Sequence, residues 1–96
     1  MKEEMTNRFL RFAVRVIELG KKLNKTYEGS HIYRQLFRAA FSAGANYEES
    51  HSAESTHDFL HKRQIVLKEL RESFFWLRLI NFSKRISDED ETFVFL

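Results

Sequence analysis

Ninety-six residues, 43% of them apolar and 31% charged, suffice for one domain with a single modest core and exclude two. The lack of cysteine excludes disulfides, thiolate metal sites and a cysteine nucleophile. No apolar run approaches the roughly 20 residues of a membrane span and no signal peptide is seen, so a cytoplasmic location is expected. Proline is also absent, which leaves long helices uninterrupted.

The net charge of +2 conceals segregation along the chain. Residues 5–40 sum to +6, residues 41–58 to −4, residues 59–87 to +5 and residues 88–91 to −4. Basic helices separated by acidic turns fit a polyanion partner, and they equally fit carboxylates placed where the helix dipole favours them.

In chain order, Thr6 is positioned to cap a first helix whose apolar residues Phe9, Phe12, Ala13, Val16, Ile17 and Leu23 recur at steps of three and four. Arg8, Arg11, Arg15 and Lys22 line the opposite side as a basic stripe. Gly20 lies within this pattern or begins its fraying. Lys25 to Ser30 reads as a polar connection, after which Ile32, Leu36, Phe37, Ala40 and Tyr47 resume helical spacing and Arg34 and Arg38 add two cations. The small residues of this second helix, Ala39, Ala40, Ser42, Ala43, Gly44 and Ala45, predict close approach of a neighbour or a bend.

Ser50 to Thr56 forms a corner, and Ser55 followed by Asp58 has the form of a capping box. The third helix is expected to run to about Lys84, roughly 40 Å at 1.5 Å per residue. Phe59, Val66, Leu70, Leu77 and Ile80 make one stripe; Phe75, Leu79, Phe82 and Ile86 make another. The segment holding Phe74, Phe75, Trp76, Leu79 and Phe82 is apolar nearly all round, so these five residues are the expected oligomer interface. Ser87 then caps an acidic turn, and Phe93 to Leu96 begin a short fourth helix at the end of the chain.

Asn46 and Glu49 are expected to hydrogen-bond across the corner, so that replacing both unfolds the chain; the alternative makes the Asn46-Tyr47-x-Glu49 cluster a ligand or partner surface, whose replacement leaves the chain folded. Glu48-x-x-His51, Glu54-x-x-His57 and the His57/His61 pair resemble metal-ligand spacings but lack further ligands, so no metal and no cofactor is expected. Without a Gly-rich phosphate loop, a cysteine or a serine nucleophile arrangement, no enzymatic activity is expected either. Glu69 and Glu72 share a helical face and are expected to pair within their helix or between subunits. The basic residues Arg8, Arg11, Arg15, Lys22, Arg34 and Arg38 are the candidate nucleic-acid contacts, because repeating a basic stripe around a symmetric oligomer multiplies the phosphates engaged.

The stretch carrying Arg38, Ser42, Gly44, Ala45, Asn46, Tyr47, Glu49, Ala53, Glu54, Ser55, Asp58, Phe59, Lys62, Leu67, Lys68, Glu69, Glu72, Trp76 and Leu77 resembles the 23S rRNA intervening-sequence protein family. The accessory proteins of diversity-generating retroelements are a related group, binding nucleic acid and a reverse transcriptase. The resemblance implies an all-α, antiparallel up-down four-helix bundle assembled as a homopentamer, with no catalytic activity. Gly44, Asn46, Tyr47, Glu49, Asp58 and Trp76 are its structural motif. This chain departs from the family in its short fourth helix, and in Glu48 and Ser52, where relatives often carry basic residues. The resulting expectation is a homo-oligomeric scaffold binding RNA or DNA, with a protein partner such as a reverse transcriptase; the alternative is a protein-interaction module whose basic charge serves solubility.

Overall fold

The computed structural model describes residues 2–83, which form three helices: α1 (Lys2–Leu23), α2 (Tyr27–Ser50) and α3 (Thr56–Phe82). No strand occurs among the described residues. Ile86 and the expected fourth helix lie outside them.

Helix α1 begins four residues before Thr6, which is therefore interior and not a cap. Glu3 and Glu4 occupy the first turn and Lys21 and Lys22 the last, each sign matching the end of the helix dipole it faces. Gly20 neither frays nor ends the helix. It is buried, and a methyl group added there would lie 2.4 Å from Cζ of Tyr33, so the missing side chain is where the Tyr33 ring packs.

The turn into α2 is shorter than the expected connection because Thr26 caps immediately, its Oγ1 accepting from the Gly29 amide at 3.0 Å. Gly29 is consequently helical, and an added Cβ would come within 2.0 Å of the Leu23 carbonyl oxygen. Only glycine lets the end of α1 sit this close to the first turn of α2.

At the second corner Ser55 caps α3, accepting from the Asp58 amide at 3.0 Å. The reciprocal bond of a capping box is displaced by one residue: Asp58 Oδ2 accepts from the Glu54 amide at 3.2 Å. Asp58 also receives the Lys62 ammonium at 2.7 Å, one turn further on. The ammonium, and then the Glu54 amide, hold the Asp58 carboxyl below its ordinary range, and the carboxylate raises Lys62 in turn.

Phe9 lies against Gly44, and Gly20 against Tyr33, so the start of α1 meets the end of α2 and the reverse. Likewise His31 faces Trp76, and Arg63 reaches Ser50. The chain thus reverses twice. Helix α2 packs on both neighbours, whereas α1 and α3 meet each other only marginally.

The shared core contains Phe12, Val16, Leu19 and Leu23 from α1, Ile32, Leu36 and Ala40 from α2, and Leu77 and Ile80 from α3. Ile17, expected inside, is 44% exposed; Leu19 takes the inward position, being three residues from Val16 and four from Leu23. Gly44 does not mark a forced approach, because an added Cβ would meet Phe9 at an ordinary 3.5 Å.

Candidate nucleic-acid interface

Arg8, Arg11, Arg15 and Lys22 share one face of α1 by their spacing, and it is the face opposite Phe9 and Gly20, through which α1 meets α2. Arg8 and Arg11 are exposed. Arg15 approaches Glu18 at 3.8 Å, and both it and Lys22 are engaged within the chain. Arg34 sits on α2, apart from this row, and donates from Nη1 to Ser30 Oγ at 3.0 Å. Sequence spacing therefore places four of the six cations together.

The sixth, Arg38, is engaged differently from the expectation. Its Nη1 donates to Glu69 Oε2 at 2.8 Å and its Nη2 to Glu72 Oε2, clamping α2 to α3. Glu69 and Glu72 thus pair across helices within one chain, neither within their own helix nor, as expected, between subunits. Glu69 is 5% exposed, and a carboxylate so buried requires a charge partner to offset its lost hydration. Arg38, and secondarily the Trp76 indole N–H at 3.1 Å, hold the Glu72 carboxyl below its ordinary range. The Arg38 guanidinium is raised in return, chiefly by Glu72.

The Asn46-Tyr47-x-Glu49 motif divides into separate roles. Asn46 Nδ2 donates to the Ser42 carbonyl at 2.9 Å and to Ser42 Oγ at 3.2 Å, so its bonds are intrahelical and do not cross the corner as expected. Glu49 is exposed, where with Glu54 it adds to the field raising Lys62. Tyr47 is the packing hub: its ring lies 5.1 Å from that of Phe9 and meets His51 edge-on at 4.8 Å.

Sequence reasoning missed Arg63, which closes this corner. Its guanidinium lies 4.7 Å from the Tyr47 ring and 4.5 Å from the Phe59 ring, and Nε donates to buried Ser50 Oγ at 2.8 Å. Ser50 donates onward to the Tyr47 carbonyl at 2.6 Å. An arginine three to four residues after an aromatic on a helix was the available signal, since such pairs stack on one face.

The expected interface residues also separate. Phe74, Phe75, Leu79 and Phe82 are 45%, 57%, 37% and 74% exposed. Trp76 instead packs against the core and donates to Glu72. Leu10, Val14 and Ile17 make a further exposed apolar row on α1 that was not foreseen. Among the described residues no three potential ligands gather to hold a metal, and no helix is long and apolar enough to cross a membrane.

Among the described residues, three helices around one core, a basic row on α1 and an internal Arg–Glu–Glu clamp define an all-helical fold whose surface, not its interior, carries the charge available to a partner. The chain belongs to the 23S rRNA-intervening sequence protein family, whose profile it matches over residues 1–93. It is similar to a solved structure from Bacteroides thetaiotaomicron, a protein of unknown function from the S23 ribosomal protein family. The two are 35% identical, with a TM-score of 0.82 over 88% of this chain and 79% of that one. No curated protein matches significantly.

Proposed function

We propose that this chain is a non-enzymatic, homo-oligomeric scaffold of the cytoplasm that binds nucleic acid, RNA foremost, through the basic row of α1. The observation that carries the reading is the exposure of Arg8 and Arg11 on the face that continues through Arg15 and Lys22. Phosphates are bound mainly by releasing their condensed counterions, so affinity grows with the number of cations that one ligand can touch. A pentameric ring would present five copies of the row, completed in each subunit as an antiparallel bundle by a fourth helix. The exposed apolar residues of α1 and α3 support assembly, because contiguous apolar surface on a small protein is costly to leave in water.

The test is binding of a labelled single-stranded RNA by the intact chain across a salt series. Affinity should fall linearly with salt on logarithmic axes, by about 0.7 in slope per phosphate contact. The variant Arg8→Gln/Arg11→Gln should lower both affinity and slope while its helix content is unchanged. Absence of binding even at low salt, or a slope untouched by the variant, would overturn this role for α1. Recovery of one protein partner, a reverse transcriptase included, with no RNA would instead favour the interaction-module reading.

A further inference from the structure

The turn joining α1 to α2 carries an aromatic ring and cations that the packing of the helices does not use. Tyr27, the first residue of α2, is 83% exposed, the most of any large apolar side chain among the described residues. A tyrosine ordinarily buries its ring and wets only its hydroxyl, so a ring left almost wholly in water is a face open to a flat partner. Lys21 ends α1 and Lys25 lies in the turn; both are exposed, and among the described residues neither enters an ion pair or a side-chain hydrogen bond. His31 and Arg34 follow Tyr27 at steps of four and three and are exposed as well, so the three share the outer face of α2.

We infer that the α1–α2 turn and the outer face of the first two turns of α2 form a stacking site for an unpaired nucleic-acid strand, Tyr27 taking a base on its ring and Lys21, Lys25 and Arg34 the flanking phosphates. The inference rests on the nucleic-acid reading above and names the ligand more closely, as a strand whose bases are unstacked.

The platform is fixed before any ligand arrives. Thr26 Oγ1 accepts from the Gly29 amide at 3.0 Å, and the Asn24 amide donates to the Gly20 carbonyl at 2.9 Å. Gly29 in turn sits against the Leu23 carbonyl, where no other residue fits. Tyr27 lies between these points, so its backbone is held and only its side chain loses freedom when a base stacks on it.

Charge favours a polyanion at this end of the molecule. Residues 19–37 hold four Lys/Arg against Glu28 alone, a net +3, and Glu28 is itself engaged within the chain. Tyr27 and Arg34 stand about 10 Å apart along the helix, the length of about three stacked bases. Aromatic rings alternating with cations suit an unpaired strand, because every base has a face to stack and every link a phosphate.

Other ligands fit less well. A protein helix would need aliphatic anchors at helical spacing, and the exposed residues from Lys21 to His31 include none. A duplex keeps its bases stacked inside and offers Tyr27 no face. Nor is this the α1 row repeated: Arg11 lies ten residues before Lys21, about 15 Å along α1, and Arg8 lies further still.

The test uses the intact chain with a short labelled oligouridylate, an oligodeoxythymidylate of equal length and a blunt RNA duplex. Tyr27→Ala should weaken binding of both single strands about fivefold or more, while the duplex affinity and the salt slope stay as in wild type. Tyr27→Phe keeps the ring and should bind as wild type does. Lys25→Gln should instead lower the slope by about 0.7. Circular dichroism should show unchanged helix content in all three variants, since each side chain replaced lies in solvent. Wild-type affinity of Tyr27→Ala for single strands, or an equal loss on the duplex, would overturn the stacking site. So would a loss confined to one of the two strands, because stacking ignores the 2′-hydroxyl. Displacement of the strand by polyglutamate as effectively, charge for charge, as by unlabelled oligonucleotide would assign the surface to an acidic protein and overturn the site too. Binding lost in Arg8→Gln/Arg11→Gln and kept in Tyr27→Ala would leave the α1 row standing and remove this site; the reverse would support this site and remove that row. No binding of any nucleic acid by wild type would overturn both.

Discussion

The clamp at Arg38 makes the strongest claim on stability. Replacing Arg38 with Met keeps most of the aliphatic stem and deletes both charge-assisted hydrogen bonds, leaving Glu69, whose side chain is only 6% exposed, with a buried and uncompensated charge. Breaking a fully buried ion pair costs about 3–5 kcal/mol. Arg38 is half exposed and Glu72 30% exposed, so water screens part of that, and about 2 kcal/mol is the expected loss at pH 7. The pH dependence has a definite sign. The folded-state Glu72 carboxyl is held below its unfolded value, so its contribution is present above the unfolded value, near pH 4.5, and is lost as pH falls through the folded value. The gap between wild type and Arg38→Met should therefore narrow on acidification below about pH 4.5. Urea denaturation followed by circular dichroism at fixed protein concentration measures both effects, and a double-mutant cycle with Glu69→Gln isolates the pair. A loss below about 0.5 kcal/mol at pH 7 would refute the reasoning, because exposed ion pairs already give values of that size. So would a gap that widened in acid.

Gly29→Ala should destabilise by about 2 kcal/mol or more, because its Cβ would meet backbone, whereas Gly44→Ala should stabilise by about 1 kcal/mol through helix propensity alone. Thermal melts of the two variants side by side check the contrast. Ser55→Ala should cost about 1 kcal/mol by leaving the Asp58 amide without its cap, seen as a lower urea midpoint with unchanged slope. The double variant Asn46→Ala/Glu49→Ala should remain folded, losing no more than about 1.5 kcal/mol, since Asn46 bonds only within its own helix and Glu49 lies in solvent. A collapsed far-ultraviolet spectrum for this variant would restore the cross-corner bond expected from sequence.

Periodicity and turn chemistry made the three helices and the Ser55 cap legible, because burial imposes a repeat of 3.6 residues and a cap needs one oxygen at one place. The start of α1 was misplaced since Thr6 has the chemistry of a cap, while the acidic pair at Glu3 and Glu4 supplied a better start further back. The basic row on α1 followed from spacing alone. Arg38 lies on the same helix as Arg34 and reads identically in one dimension; only the packing of α3 brings Glu69 and Glu72 beneath it. Arg63 escaped in part for the same reason: its partner Phe59 stands one turn back on the same helix, but Tyr47 and Ser50 lie thirteen or more residues away in sequence. Local chemistry is written locally, and a pairing between helices becomes visible once their register is known.

The central place of α2 bears on how the molecule opens and forms. Each interhelical contact it makes is with the helix immediately before or after it in the chain, joined through a turn of only a few residues. Closing such short loops costs little entropy, so folding should proceed rapidly through two helical hairpins that share one strand of the chain. Either outer helix can detach while the other hairpin survives, but the loss of α2 dissolves both. Amide hydrogens around Leu36 and Ala43, both fully buried, should consequently be the last to exchange, and those of α1 should exchange through smaller openings that leave the Arg38 clamp closed.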